Sequence, residues 1–533
     1  MQTKNEASNR PELIFALVGP AGVRLNDLSR ALKEHLKTFQ YESVDVGLSD
    51  LLKNFSGWRD EPENTQYTEY NRISHRQSIA YEFRSSLNDG AALARAGIAA
   101  IREKRAAITG SPDRPASAYA YVIRQLKHPH EIELLRQVYG SSLVVLAGHA
   151  PEATRVKNLA EVMAQKDEHA VDGIYNSKAE EIIHIDDKQE LDDDLGQNTR
   201  DAYPLADFFA NLGLESGGNG VKRFIDLLFG HPFHTPVPEE FAMYQASAGA
   251  LRSSDESRQV GAVIVMLTKN AAGKVANADV VALGMNEVPR RGGGFYWHED
   301  SPDGRDQWLM AYNGVDRAKK LKTSALVELI EKLRDRDWLD KKLDATPTAL
   351  ANELLPHLKG TQFMNIGEFV RPVHAEMAAL IDSARRGVAV QGLTMYATTF
   401  PCHNCAKHII AAGLRKVVYL EPYPKSRAKV LHGEEINLDS IDGTESDDRV
   451  VFCAFTGIAP RQYQRVFSMS ARGRKFGLAL NDWNEAHTTL PPRYVARNAA
   501  AAYTLTECQE LKKLPTDIYK WDPQIICPSS SSS

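Results

Sequence analysis

The sequence predicts an α/β protein made of two modules. The first observation is an apolar run at Leu13–Val18, which ends in a glycine-containing turn and precedes a helical pattern from Asp27 to Leu36. Strand-like and helix-like segments then alternate to about residue 200, which favours a layered α/β module. A second alternation at short spacing follows between about residues 375 and 420, and it predicts another sheet with helices packed on it.

Length and composition agree with this division. A chain of 533 residues is expected to form about two to four domains. Hydrophobic residues make up 43% and charged residues 25%, and no apolar run reaches the ~20 residues of a membrane span. The first residues, MQTKNEASNRPE, lack the arrangement of a secretory signal peptide. We therefore expect a cytoplasmic protein with no membrane segment.

The first module has further strand and helix patterns. Ser117–Leu126 and Ser141–Ala147 have the β-rich composition of strands, and the charged stretch His130–Tyr139 between them has that of a helix. Acidic sequence at Asp186–Asp194 is expected to be an edge or a linker. We predict a first domain over residues 1–205, a second over 206–500, and a C-terminal tail over 501–533 that ends in PSSSSS.

The second module begins with a predicted helix at Glu239–Arg252 and a long-looped hairpin of Val260–Met266 and Val280–Met285. An insertion at about residues 295–370 contains Leu326, Leu329, Ile330 and Leu333 at helical spacing, which predicts one apolar helix face packed on the domain. A surface for a partner or an effector is the alternative.

A helix from Ala375 closed by Gly387, a strand at Leu393–Thr398, a helix at Cys402–Ala412 and a strand at Lys416–Leu420 complete the predicted core of this module. Five cysteines do not form a disulfide framework. Outside the CxxC of Cys402 and Cys405, we expect Cys453, Cys508 and Cys527 to be buried hydrophobic residues or bystanders.

Four residues carry the predicted chemistry. RPVHAEMAAL places His374 and Glu376 at a helix start, and TTFPCHNCAKHII places Cys402 and Cys405 in the first turn of another helix. One imidazole and two thiolates suit Zn²⁺, and the missing fourth protein ligand is typical of a catalytic site that keeps a position for water. Helix N-termini also favour the thiolate form.

This H-x-E…P-C-x-x-C arrangement is the signature of zinc deaminases, in which the glutamate moves protons without binding the metal. We therefore assign His374, Cys402 and Cys405 as metal ligands and Glu376 as the catalytic proton shuttle. A structural zinc half-site, a redox pair and ordinary surface sequence are the alternatives. His403 and His408 are expected on the helix surface or beside the ligands.

Residues 235–435 resemble the deoxycytidylate deaminase family. The resemblance rests on SRQVGAVIV, ALGMNEVPR, HAEMAAL, TTFPCHNCAKHII and GLRKVVYLEPY. It implies a cytidine deaminase-like α/β/α sandwich whose mixed central sheet carries the zinc helices on one face. It also implies that Asn286 contacts the nucleotide sugar and that the backbone at Ala375 contacts the base. Arg258 is a phosphate candidate with an ion pair as its alternative, and Tyr423 and Lys425 are further phosphate-side candidates.

Over its full length the chain resembles bacterial anti-phage dCTP/dCMP deaminases that carry an N-terminal P-loop kinase-like domain. That resemblance implies hydrolytic deamination of dCTP and dCMP to dUTP and dUMP, and antiviral defence by nucleotide depletion. It also implies homo-oligomerisation and, in some members, inhibition by a small RNA antitoxin. An allosteric nucleotide is a further expected partner.

The glycine turn after the first strand departs from a working P-loop. Aligned on Gly19, the segment GPAGVRLN has Arg24, Leu25 and Asn26 where the pattern requires glycine, lysine and a hydroxyl residue. We expect Gly19, Gly22 and Arg24 to form a degenerate nucleotide-binding loop that senses nucleotide or serves as a scaffold, without phosphoryl transfer.

Two other functions compete with free-nucleotide deamination. A deaminase of single-stranded nucleic acid, acting on cytosine or adenosine, would share the zinc motif. The formal net charge of −5 argues against it, because polynucleotide binding draws on many lysine and arginine contacts. A nucleotide-sensing regulatory protein is the other alternative, and the complete zinc and glutamate set argues against that as its sole role.

Overall fold

A computed structural model of the chain describes residues 10–522 with internal gaps. The gaps are 63–67, 167–173, 188–193, 214–216, 274, 301, 307–313, 315–316, 341–344, 359–360, 362, 364–366, 368, 422–425, 439–447, 469–482, 485–487, 489 and 494–499. The described residues divide into two compact units. The first unit contains the described residues up to Glu240 and from Ala454 onward, and the second contains those between.

The first unit alternates strands and helices from its start. Its strands and α-helices, up to the end of its first segment, are β1 Leu13–Val18, α1 Leu25–Thr38, β2 Glu42–Gly47, α2 Leu48–Leu51, α3 Glu69–Leu87, α4 Ala92–Thr109, β3 Tyr119–Leu126, α5 Pro129–Tyr139, β4 Leu143–His149, α6 Glu152–Lys166, α7 Ile174–Asp187, α8 Thr199–Ala202, β5 Phe208–Asn211 and α9 Gly217–Leu228. The predicted strands and helices of this module are confirmed, with boundaries that shift by a few residues.

The sheet of the first unit has β1 near its centre. Strand β1 pairs in parallel with β3 on one side and β4 on the other, β2 pairs in parallel with β3, and β5 with β4. Every residue of β1 is buried, because a parallel sheet with helices on both faces leaves no solvent side. A two-residue strand, β12 Gly457–Ile458, extends the sheet antiparallel to β5.

The predicted boundaries of the first domain differ from those observed. Strand β5 and helix α9 lie beyond residue 205, yet the first pairs with β4 and the second packs on α1. The predicted linker begins with Asp186, which is 1% exposed at the end of α7, so it is part of this unit's core. Residues 188–193 of that predicted linker lie outside the described residues.

The C-terminal region also belongs to the first unit, whereas the sequence predicts a separate tail. Helix Ala500–Leu511 packs on α4. Glu507 in that helix is fully buried and forms ion pairs with Arg102 (3.0 Å) and Arg105 (2.7 Å), and Arg105 also pairs with Glu12 at 2.6 Å. The cause is long-range charge pairing, which no local pattern reveals. The PSSSSS segment lies outside the described residues.

The second unit continues the chain from within α10. Its strands and α-helices are α10 Pro238–Ala250, β6 Gly261–Lys269, β7 Val275–Met285, α11 Arg317–Asp335, α12 Pro347–Leu354, α13 Ala375–Arg385, β8 Thr394–Thr399, α14 His403–Ala411, β9 Lys416–Glu421, α15 Ala428–His432, β10 Ile436–Leu438 and β11 Val450–Ala454. In the first unit, β12 is followed by α16 Tyr463–Phe467 and α17 Ala500–Leu511.

The second sheet is mixed, as predicted, in the order β10-β11-β9-β8-β6-β7. Strands β6 and β7 form the predicted hairpin, β8 is antiparallel to β6, and β9 is parallel to β8. Ala262, Met395 and Val417 of the sheet share one apolar core with Ala379 of α13 and Ile409 of α14. Both zinc-motif helices therefore pack against the sheet through the same core.

The insertion forms a helix pair with its own small core. Leu326 and Ile330 of α11 are buried against Leu350 and Ala351 of α12. The predicted apolar face is wrong at Leu329, which is 49% exposed, because the second helix covers only part of that face.

Cys402, Cys405 and Cys453 are not disulfide-bonded. Cys508 is buried but forms a disulfide, so the expectation that it is a bystander is wrong. Within the described residues, no helix has the length and apolar character required to cross a membrane.

Candidate functional site

The predicted metal ligands meet at the starts of α13 and α14. His374 occupies the N-cap position of α13 and Cys402 that of α14, while Cys405 lies one turn further along α14. The Nδ1 atom of His374 is 3.4 Å from the Sγ atom of Cys402 and 3.4 Å from that of Cys405. Residues that are 28 and 31 positions apart in the chain thus converge on one point.

This arrangement fits a zinc ion. Tetrahedral zinc at its usual bond lengths separates a nitrogen and a sulfur ligand by about 3.5 Å, close to the distances observed. Among the described residues, these three form the one group of His, Cys, Asp or Glu side chains whose ligand atoms all lie within 4.8 Å of one another. Three protein ligands leave a fourth tetrahedral position for a non-protein ligand.

The thiol pair is electrostatically unequal. The Cys405 thiol is hydrogen-bonded to Cys402, and His374 lies beside it, so the pKa of Cys402 is lowered to about 4. The same hydrogen bond, with burial, raises the pKa of Cys405. The hydrogen bond to Cys402 also raises the pKa of His374. The lowered pKa favours the thiolate of Cys402, the form in which cysteine binds metal.

Glu376 stands beside the ligands in the first turn of α13. Its side chain is buried, with 4% of the residue exposed, and it forms a hydrogen bond with Cys405. Burial is the main cause that raises its pKa, and the negative charge of Cys402 adds to the effect. A carboxyl group with a raised pKa next to a metal site is suited to accept and return a proton.

Close packing fixes α13 on the sheet. A Cβ atom added to Gly284 in β7 would lie 2.1 Å from the carbonyl oxygen of Ala375 and 2.3 Å from the amide nitrogen of Ala379. Glycine at this position thus permits the approach of helix and strand that places His374 and Glu376. Ala375 itself is fully buried in the first turn.

Asn286 uses both atoms of its amide to hold a neighbouring segment. Its Oδ1 atom accepts a 2.7 Å hydrogen bond from the Val260 amide, and its Nδ2 atom donates one of 2.7 Å to the Arg258 carbonyl. An amide group keeps one further donor and acceptor capacity beyond these two bonds. The described contacts make Asn286 an anchor of residues 258–260.

The ion-pair alternative for Arg258 is present in the structure: its guanidinium pairs with Glu421 at the end of β9. Sequence reasoning did not identify Glu421, nor Glu287, which is 2% exposed and accepts hydrogen bonds from the amide and hydroxyl of Ser254. Both partners come from distant segments, so no local spacing could have revealed them. The one signal for Glu287 was its position next to Asn286.

The other predicted residues do not belong to this ligand group, and some lie outside the described residues. His408 bonds the Asn404 carbonyl of its own helix at 2.6 Å, in agreement with a surface role. Tyr423 and Lys425 lie outside the described residues. Gly19, Gly22 and Arg24 belong to the first unit, where Gly22 has φ +85° and Arg24 pairs with Glu161 at 3.1 Å.

One histidine and two cysteines beside a buried glutamate are typical of zinc deaminases, and sequence comparison points to the same class of protein. Residues 237–421 match the family model described as the cytidine and deoxycytidylate deaminase zinc-binding region. The matched segment contains all three ligand candidates and Glu376. From Phe241 onward, this matched segment belongs to the second unit.

The relatives of this segment include deoxycytidylate deaminases. The chain is 46% identical over 55 residues to that of Enterobacteria phage T4, which is 10% of this chain and 28% of the phage protein. It is 43% identical over 53 residues to ComE operon protein 2 of Bacillus subtilis, with shares of 10% and 28%. The human deoxycytidylate deaminase is 30% identical over 74 residues, with shares of 14% and 40%. The chain thus spans less than half the length of these relatives.

Solved structures include the dCMP deaminase of cyanophage S-TIM5. It is 17% identical, and the match covers 42% of this chain and all of that one with a TM-score of 0.21. A score this low supports no structural conclusion. The sequence matches alone relate this segment to the deoxycytidylate deaminase family.

Proposed function

We propose that the protein hydrolyses the 4-amino group of free cytosine deoxynucleotides, dCMP and/or dCTP, to give the uracil nucleotide and ammonia. The observation that carries the proposal is the convergence of His374, Cys402 and Cys405 within 4.8 Å, with the buried carboxyl of Glu376 beside them. The family match over residues 237–421 and the deoxycytidylate deaminase relatives support it.

The three ligands would hold Zn²⁺, which when bound lowers the pKa of a coordinated water and supplies a hydroxide nucleophile near neutral pH. Glu376 takes a proton from the attacking water and delivers it to the ring nitrogen N3 as oxygen adds to C4. The same carboxylate then takes the remaining proton from the oxygen on C4 and transfers it to the departing amino group, so ammonia leaves as the C4–N bond breaks and the C4 carbonyl forms. Its buried position excludes competing bulk water from this proton transfer.

Residues around the zinc helices would position the nucleotide. Asn286 holds the segment 258–260, and Ala375 directly follows the proposed ligand His374 at the start of α13. We propose that Asn286 contacts the sugar with its remaining amide capacity and that the Ala375 backbone contacts the base. Arg258, Tyr423 and Lys425 remain proposals for the phosphate side.

Product analysis of the purified, zinc-loaded protein tests the proposal. Uracil formation and ammonia release are measured with dCMP, dCTP, CMP, single-stranded DNA and RNA. We expect deoxynucleotides to be converted and Glu376→Gln to lower kcat by roughly 10²- to 10⁴-fold with zinc content unchanged. Glu353→Gln, an exposed residue of α12, serves as the control. Undiminished turnover by Glu376→Gln, or conversion of polynucleotide alone, would refute it.

The wider family resemblance supports further proposals about the cellular role, assembly and regulation of the protein. We propose nucleotide depletion during phage infection, homo-oligomerisation, control by an allosteric nucleotide and restraint by a small RNA antitoxin. Cells that express the protein should lose dCTP on infection, whereas cells that express Glu376→Gln should keep it. Nucleotide pools measured by mass spectrometry separate the two outcomes.

A further inference from the structure

The first unit contains a cavity that the deaminase chemistry does not use. Its volume is about 810 Å³, within the usual range of small-molecule sites. The segments that follow β1 and β2 and the end of β3 line it, together with α3, α6 and α7. It therefore lies outside the carboxyl ends of parallel strands, where α/β sheets generally bind ligands.

The lining of this cavity is rich in positive charge although the chain as a whole is acidic. Seven lysine and arginine residues line it against four acidic ones. Arg72 and Arg76 come from α3, and Arg124 comes from the end of β3. Arg76 is 15% exposed between Asp50 and Glu61, and Arg124 donates to Asn26 while it is 29% exposed. Guanidinium groups have five donors, so these pairings leave donors for an anion.

The glycine turn at residues 19–22 is already bound by a carboxylate of the same chain. The amide of Ala21 donates a 2.7 Å hydrogen bond to Oδ2 of Asp186, and the ammonium of Lys127 is 2.7 Å from Oδ1 of the same carboxylate. Asp186 is 1% exposed. A backbone amide in a turn before a helix is a common phosphate ligand, and here an internal carboxylate binds it.

Helix α6 covers the same turn from another side. A Cβ atom added to Gly22 would lie 2.4 Å from the carbonyl oxygen of Arg155, and the Asn158 amide donates to the Gly22 carbonyl at 2.9 Å. A chain of phosphates along the turn would clash with α6 and would be repelled by the negative charge of Asp186. The space for an anion therefore lies on the side of the cavity formed by α3 and β3.

The cavity also has an apolar part with an unsatisfied polar atom. Leu48, Leu52, Ile73 and Leu93 line it. Gln77 is 8% exposed and also lines the cavity, and its Oε1 atom has no hydrogen-bond partner among the described residues. A buried acceptor without a partner is costly, which favours a ligand that donates a hydrogen bond there. An amino or imide N–H on a flat heterocycle meets that requirement.

We propose that this cavity binds a nucleoside monophosphate, with the phosphate on the guanidinium groups of Arg76 and Arg124 and the base against the leucines and Gln77. The glycine turn takes no phosphate while Asp186 occupies it. Monophosphates therefore bind more tightly than the corresponding triphosphates. The site is independent of the zinc site and needs no chemical step.

Hydrogen exchange of the full-length, zinc-loaded protein locates the binding. The probes are dAMP, dTMP, dCMP, their triphosphates, thymidine, deoxyribose 5-phosphate and inorganic phosphate. At least one monophosphate should protect peptides over residues 47–52, 72–84 and 124–127, and it should do so at lower concentration than its triphosphate. Absence of protection there by every nucleotide overturns the proposal, even if deamination proceeds. Equal protection by inorganic phosphate would also refute it, since the base would then contribute nothing.

Matched variants test each part of the site. Arg76→Met should weaken monophosphate binding about tenfold or more, the size expected for one charge-assisted hydrogen bond. Arg59→Met, at an exposed ion pair outside the cavity, should have no effect. Gln77→Leu should weaken nucleotide binding while binding of deoxyribose 5-phosphate stays the same. Unchanged affinity in both Arg76→Met and Gln77→Leu would refute the assignment.

The role of Asp186 gives a separate test. Asp186→Asn removes the negative charge from the glycine turn, so triphosphate affinity should rise relative to monophosphate affinity by about tenfold. Asp187→Asn changes the charge of the adjacent residue, which is 3.6 Å from Arg155 and does not line the cavity, and should leave the ratio unchanged. An identical ratio in the wild type and Asp186→Asn would show that the carboxylate does not exclude phosphate.

Discussion

The candidate zinc site of the second unit and the glycine turn of the first unit both lie where a helix begins, yet different groups pack against the two helix starts. At α13 and α14, two helix starts come together and present one imidazole and two thiols to the same point. At the glycine turn, a carboxylate 165 residues away in the chain takes the amide of Ala21. The start of a helix can therefore bind a ligand only where no distant residue of the same chain already occupies it.

The two regions also differ in how they are stabilised. The second unit positions its site by close packing of α13 on β7 at Gly284 and through hydrogen bonds of Asn286. The first unit joins distant segments through buried charge, at Glu507 with Arg102 and Arg105. Substitutions in the second unit should thus change zinc content and activity, whereas substitutions at the buried charges of the first unit should change its free energy of unfolding.

The largest effect is expected from Cys405→Ser. Loss of a thiolate ligand should lower zinc content and reduce turnover by more than about 100-fold. Cys453→Ser changes a cysteine of the same unit that is not disulfide-bonded; it is the matched control and should keep both zinc and activity. Metal analysis and uracil formation measure the two quantities. Full zinc occupancy in Cys405→Ser would remove this thiol from the ligand set.

The next effect concerns the first unit. Glu507→Gln leaves Arg102 and Arg105 without a shared buried carboxylate, which should cost about 3–5 kcal/mol in the free energy of unfolding of that unit. Hydrogen exchange of peptides from α4 and α17 reports the change locally. Glu133→Gln on the exposed side of α5 should leave the same peptides as protected as in the wild type. Unchanged protection in Glu507→Gln would mean that the buried pairs contribute little.

A smaller effect is expected from Gly284→Ala. The added methyl group would overlap the backbone of α13, which should cost about 1–3 kcal/mol and move His374 and Glu376. Thermal loss of activity and zinc retention measure the outcome. At Gly367, an added Cβ meets, among the described residues, only the Asn404 amide at 4.0 Å, so Gly367→Ala should behave as the wild type. A Gly284→Ala protein with unaltered stability would show that the helix can shift without cost.

The smallest effect is expected from Asn286→Ala. Two hydrogen bonds to residues 258–260 are lost, which should cost about 1–2 kcal/mol and raise KM for the nucleotide more than it lowers kcat. Steady-state kinetics with dCMP and dCTP measure the split. Asn277→Ala, an exposed residue of β7, controls for loss of an asparagine. A fall in kcat alone would indicate that Asn286 acts on the reacting centre.

Much of the fold was readable from local patterns. The hairpin of β6 and β7, the helices at 375 and 403, and the strands of the first unit follow from apolar runs, glycine stops and helix periodicity. The insertion shows the limit of such patterns: Leu329 fits the apolar face of α11 but remains exposed, because the extent of α12 decides how much of that face is covered.

Domain boundaries were the weakest prediction. An acidic stretch suggested a linker near residue 190, but Asp186 is buried at the glycine turn and β5 continues the first sheet. Likewise, the region from residue 500 onward was expected to be a tail, whereas α17 packs on α4. Composition cannot show whether a charged segment finds a buried partner hundreds of residues away.

The sequence by itself determined which residues are proposed as metal ligands and proton shuttle, because the chemistry of zinc and of hydrolysis restricts which residue types serve, and helix spacing restricts where they stand. Only the tertiary structure decided which groups surround those residues. It placed Glu421 against Arg258, set Asn286 to hold the 258–260 backbone, and brought Asp186 to the glycine turn. The physical reason is that charge pairing, burial and close approach depend on distances between segments remote in the chain, which a local pattern does not contain.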